Sequence, residues 1–189
     1  MMGIEFCELI KLFFTKIESS SDIEVYNEFS LQHELGVFLR NQLPRYKVQF
    51  ERNVSYFNIN SSTIKKEMDI VVFDTDRTEI YAIELKYPRN GQYPEQLYSF
   101  TKDLVFAEEL KREGFTKAYV VTLVSDMNFC RGANTKGIYG YYRNSQILSG
   151  RIFRPTGKTK DTEFINVSGT YQINWKDCVE RKYYILEAQ

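Results

Sequence analysis

A chain of 189 residues is long enough to bury a substantial core, and residues 1–189 fit the usual size of one compact domain. Apolar residues make up 43% of it, with 14 tyrosines and 14 phenylalanines, a composition that excludes a disordered chain. The 25 lysines and arginines are matched by 25 aspartates and glutamates, so attraction to nucleic acid has to come from a local positive groove rather than from the whole molecule.

Cys7, Cys130 and Cys178 are scattered without CxxC spacing, and His33 is the single histidine, which speaks against a zinc cluster and suits a reducing compartment. No apolar run approaches roughly 18 residues, and Glu5, Glu8 and Lys11 interrupt the apolar start with no cleavage pattern after it. A soluble, cytoplasmic protein without membrane association is expected.

In chain order, Ile4, Leu9, Leu12, Phe13 and Ile17 recur near helical spacing and predict an amphipathic helix over residues 3–19. Ser30 can cap a second helix through LQHELGVFLRNQL, which Pro44 ends and in which Glu34 lies on or beside the stripe of Leu31, Leu35, Phe38 and Leu39. YKVQFE and VSYF read as short strands. The polar turn NINSSTIKKE follows, and then the apolar strand MDIVVF. The connection DTDRT leads into EIYAIELK, so these two strands are predicted to form a hairpin.

After PRNG a helix is expected over residues 93–112, with Leu97, Phe100, Leu104, Ala107 and Leu110 facing a sheet and Gly114 ending it. The strand KAYVVTLV follows, so strand, helix and strand form a crossover between parallel neighbours beside an antiparallel hairpin. GIYGYYR, QILSGRIF, EFINVSGTYQINW and KYYILEAQ read as further short strands or hairpin pieces.

The period of two along EIYAIELK puts Glu84 and Lys86 on one face and Ile83 and Leu85 on the other. Asp69 opens the partner strand, and the hairpin can bring it beside Glu84. Two close carboxylates repel unless a cation offsets them, and oxygen ligands on adjacent strands suit Mg²⁺ with retained waters. Lys86 would then stand near the metal and a phosphate. The bland alternative makes Glu84 and Lys86 solvated residues at a strand end and Asp69 a turn cap.

Asp69 followed across a hairpin by Glu84-Leu85-Lys86 resembles the PD-(D/E)xK, or restriction-endonuclease-like, nuclease superfamily, with Met68 where that family often has proline. The resemblance covers residues 31–124. It implies an α/β fold: a restriction-endonuclease-like mixed β-sheet flanked by helices, here with additional C-terminal strands. It also implies a helical glutamate, for which Glu34 is the matching residue, and hydrolysis of nucleic-acid phosphodiesters, with DNA the expected polymer. Asp69, Glu84 and Glu34 would hold Mg²⁺, or Mn²⁺, and Lys86 would support the attacking water or the transition state. Gln96 is a further candidate, since some relatives carry a glutamine on the helix after ExK.

Lys65, Lys66, Arg89, Arg151, Arg154, Lys158 and Lys160 are the candidate phosphate contacts, and the tyrosines of GIYGYYR could stack on bases or pack in the sheet. His33 is explained as a helix-surface residue as readily as by chemistry. Two non-enzymatic readings stand beside the nuclease: an inactive nuclease fold that binds nucleic acid, and a protein-interaction or defence module. A homodimer or another protein is the corresponding partner.

Overall fold

The computed structural model describes residues 5–59, 62–89 and 91–189. Gly3 and Ile4 of the first helical pattern, Asn60 and Ser61 of the polar turn, and Asn90 of PRNG lie outside those residues. The first helix, α1 (Phe6–Ser19), buries Phe6, Ile10, Phe13, Phe14 and Ile17. The second, α2 (Glu28–Gln42), begins earlier than the sequence suggests. Its cap is Asn27, whose side chain accepts from the Ser30 amide at 2.7 Å, while the Ser30 hydroxyl accepts from the Asn27 amide at 3.0 Å. This reciprocal box satisfies two amides that a helix start leaves open. Its consequence is that Glu28 falls in the first helical turn.

Strand β1 (Lys47–Asn53) leads into a 3-10 turn, Val54–Phe57, where a strand was expected. The Asn53 side chain accepts from the Ser55 amide at 3.0 Å and curls the chain before a strand can form. Strands β2 (Glu67–Phe73) and β3 (Ile80–Lys86) form the expected hairpin. Asp74 closes it by accepting from the Thr78 hydroxyl at 2.6 Å and the Glu79 amide at 3.0 Å. Helix α3 (Tyr93–Arg112) crosses over to β4 (Lys117–Val124), which runs parallel to β3.

GIYGYYR is not a strand. It contains helix α4 (Ile138–Arg143), because Ile138 and Tyr142, four residues apart, both enter the core and the Tyr142 hydroxyl lies 3.0 Å from that of Thr101. Strands β5 (Leu148–Phe153) and β6 (Phe164–Tyr171) pair as a separate ribbon, and β7 (Lys176–Cys178) and β8 (Arg181–Glu187) complete the chain.

The main sheet is mixed, with the order β1-β2-β3-β4-β8-β7. Helices α1 and α2 cover one face, packing Leu31, Leu35 and Phe6 against Ile70, Ile83, Leu85 and Tyr119. Helix α3 and the β5–β6 ribbon cover the other, where Phe100, Leu104 and Ala107 meet Val71, Ala82 and Val120. Among the described residues, no helix is long and apolar enough to cross a membrane.

The Asn27 cap fixes the position of Glu28 as well as the start of α2. Asn27→Ala is expected to cost about 1 kcal/mol, lowering Tm by roughly 2–4 °C for a chain of this size. Thermal denaturation checks this, and an unchanged Tm would show that the cap does not hold the helix start.

Candidate active site

The hairpin register pairs Ile70 with Ile83 and, continued by one residue, sets Asp69 across from Glu84. The two strands bind each other through these side chains: the Asp69 amide donates to Glu84 Oε1 at 3.3 Å, and the Leu85 amide donates to Asp69 Oδ2 at 2.7 Å. Glu84 is fully buried because β3 is an interior strand, flanked by β2 and β4, so the acid pair does not lie at a sheet edge. It lies instead at the C-terminal end of β3, beneath α3.

The alternation along β3 puts Glu84 and Lys86 on one face, as expected, and α3 is the element that covers that face. There they meet Asp103, a buried carboxylate that the sequence reading passed over. Asp103 sits three residues after Phe100 and four before Ala107, a charge embedded in an apolar stripe, and that placement was its signal in the sequence. Lys86 Nζ lies 3.3 Å from Asp103 Oδ2 and 3.4 Å from Glu28 Oε1. Glu28 also accepts from the Tyr87 amide at 3.0 Å.

The helical acid in contact with Lys86 is Glu28, where the sequence pointed to Glu34. Six residues separate them, which turns Glu34 to another side of α2, whereas Gln32, one turn after Glu28, faces the strands. Gln32 Nε2 donates to Glu51 Oε1 at 2.5 Å and to the Asp69 carbonyl at 2.7 Å. Glu51 interrupts β1 with a left-handed φ of 48° at the level of Asp69. Glu28, Phe29, Gln32, Glu51, Asp69 and Leu85 enclose a hollow of about 90 Å³.

Lys65 departs from its expected role as a phosphate contact. Its ammonium is in contact with Glu84 and lies 3.1 Å from Asp103 Oδ1 and 4.0 Å from Asp69 Oδ1. Burial lowers its affinity for a proton, but the attraction of Glu84, Asp103 and Asp69 outweighs this and raises its pKa. Lys86 is raised in the same way, by Asp103 and Glu28 against desolvation. Glu84 is held well above the carboxylate range by burial and by the neighbouring Asp69. Burial also pushes Asp69 up to about 6, against the pull of Lys65 and the Leu85 amide.

The other sequence candidates lie around this centre. His33 is on the exposed surface of α2, and Gln96 is half-buried in the first turns of α3, two turns before Asp103 on the same helix side. Arg89 is exposed and borders a hollow of about 400 Å³ with Tyr93 and Asp126. Lys66 and Lys158 are exposed. Arg154 forms ion pairs with Glu95 and Glu163 on partly exposed surface. Arg151 and Lys160 line a cleft of about 500 Å³ together with Lys136, Tyr139 and Tyr141.

Asp69 and Glu84 offer oxygen donors alone, the chemistry that suits a hard cation keeping several waters, and the Lys65 ammonium already places one positive charge against them. Among the described residues, no three acidic, histidine or cysteine side chains are gathered at metal-binding distance. A cation at this pair would therefore take two carboxylates from the chain and the rest of its ligands from water. Comparison with family models, with curated proteins and with solved structures gives no match to this chain.

The raised Asp69 carboxyl gives a signed pH dependence. The folded chain holds this proton up to about 6, while the ordinary value is 3.8, so the folded state binds more protons between those values. The resulting stability is present at low pH and lost as pH rises through 6. Relative to Asp69→Asn, the unfolding free energy of the unchanged chain in a chelator should fall by about 2 kcal/mol between pH 4 and 7. Urea denaturation across that range measures it, and a flat difference contradicts the assignment.

Proposed function

We propose that the chain is a metal-dependent nuclease that hydrolyses phosphodiester bonds of nucleic acid, with DNA as the expected polymer, and that its site is of the PD-(D/E)xK kind. The observation that carries this reading is the placement of Asp69 and Glu84 on neighbouring strands with Lys86 on the same face of β3. Asp69 and Glu84 would hold Mg²⁺ or Mn²⁺, and the ion would supply charge stabilisation and an activated water when bound. Lys86, desolvated and held by Asp103 and Glu28, would stabilise negative charge on a phosphate oxygen. Glu28 replaces Glu34 in the catalytic set because it alone of the two reaches Lys86. Arg89, Arg151 and Lys160 are retained as phosphate contacts on exposed surface, and the cleft tyrosines Tyr139 and Tyr141 stand beside two of them.

A second reading, nucleic-acid binding without cleavage, is favoured by one observation: the Lys65 ammonium lies against the carboxylates that would hold the ion. Assays on single- and double-stranded substrates with Mg²⁺, Mn²⁺ or a chelator separate the two. Cleavage that requires a divalent ion supports the nuclease, and saturable binding with no cleavage under any metal supports the second reading.

In the nuclease, Asp69→Asn, Glu84→Gln and Lys86→Ala should each lower the cleavage rate by about 100-fold or more. The first two should also weaken metal binding, and the third should leave more of it. Glu28→Gln should reduce cleavage and Glu34→Gln should not. Cleavage kinetics on folded variants test this ordering, and a Glu34 effect larger than that of Glu28 would return Glu34 to the site.

A further inference from the structure

The carboxylates near Lys65 outnumber the cations that meet them. Asp69, Glu84, Asp103 and Glu28 share contacts with two ammonium groups, those of Lys65 and Lys86, and Glu51 borders the same hollow as Glu28 and Asp69. Even with both lysines in place the cluster has four carboxyl groups to two ammonium groups. Asp103 Oδ2 is buried without a hydrogen bond, its contact with Lys86 being one of charge and distance alone. A buried carboxylate oxygen in that state is open to a further positive partner.

Lys65 is held so that its backbone stays while its head can leave. The Ile64 amide donates to Glu109 Oε2 at 2.8 Å, and the Thr63 hydroxyl donates to the Lys65 carbonyl at 2.6 Å, pinning the segment along α3. The Lys65 side chain itself remains 30% exposed, whereas that of Lys86 is 15% exposed and is gripped by Asp103, Glu28 and the Leu85 carbonyl. Of the two lysine side chains, that of Lys65 is therefore the one more open to water.

We propose that Lys65 is the internal counter-cation of the site: its ammonium neutralises Asp69, Glu84 and Asp103 when no divalent ion is bound and competes with that ion for Asp69 and Glu84. This inference rests on the metal-binding part of the nuclease reading and adds a control to it. Metal entry has to expel one lysine head, so affinity for the ion is set by an exchange of cations rather than by an empty acidic pocket. The two lysines then divide the work, with Lys86 staying at the reaction and Lys65 yielding its place.

The test measures binding without nucleic acid. Mn²⁺ titration followed by electron paramagnetic resonance should show Lys65→Met binding at least about tenfold more tightly than the unchanged chain, because one unit of repulsion a few ångströms from the ion has been removed. Lys65→Arg keeps the charge and should show no such gain. In a chelator Lys65→Met should melt below the unchanged chain, and Mn²⁺ should raise its Tm by more.

Should Lys65→Met fail to fold, the unchanged chain still answers: the ammonium resonance of Lys65 is expected to shift towards that of a solvated lysine as Mg²⁺ is added. Equal or weaker Mn²⁺ binding by folded Lys65→Met, no binding by either chain, or a Lys65 resonance unmoved at saturating Mg²⁺ would each overturn the proposal. A chain that binds Mn²⁺ more tightly after Lys65→Met yet cuts nothing keeps this inference and loses the nuclease reading.

Discussion

The desolvated carboxylates of Asp69 and Glu84 set the terms for everything around them. Glu84 has no contact with solvent, and its nearest charged neighbour across the strands is another acid. Two such groups side by side are tolerated only where positive charge or protons are supplied. The chain supplies both: Lys65 meets Glu84, Lys86 meets the adjoining Asp103, and the acids themselves hold protons more tightly than usual. A purely structural ion pair would gain little from a second buried acid beside the first, and it is this second acid that the proposed cation site would use.

The fold meets that demand by converging three elements on the end of one interior strand. The β2–β3 hairpin sets the acids level with each other, the crossover helix α3 lowers Asp103 onto them, and the capped start of α2 delivers Glu28 and Gln32 from the opposite face. Because β3 is flanked on both sides, the acids cannot relax into solvent along a sheet edge. The left-handed turn of β1 at Glu51 lies at the same level, a departure from strand geometry that costs energy and recurs where backbones are shaped around sites.

The central hairpin and the crossover helix were legible in the sequence because burial on both faces leaves long apolar runs, and Glu84 and Lys86 stood out in one of them as charges two residues apart, hence on one face. What escaped notice did so for local physical reasons. Asn27 outcompetes Ser30 as the cap, and with it Glu28 displaces Glu34, because a reciprocal box satisfies more amides than a single hydroxyl. Tyrosines favour strands on average, yet Ile138 and Tyr142 become helical once both must reach the core. Asp103 was visible as a charge inside an apolar stripe. The role of Lys65 was not, because nothing in a polar turn says which lysine will fold back onto acids from distant elements.

The measurement that bears most directly on the site is anomalous diffraction from crystals soaked in Mn²⁺. The expected map has a single strong peak about 2 Å from carboxylate oxygens of both Asp69 and Glu84, with the Lys65 ammonium withdrawn from them. A peak elsewhere, or Lys65 still seated against both acids at saturating Mn²⁺, would contradict a cation-binding centre at this pair.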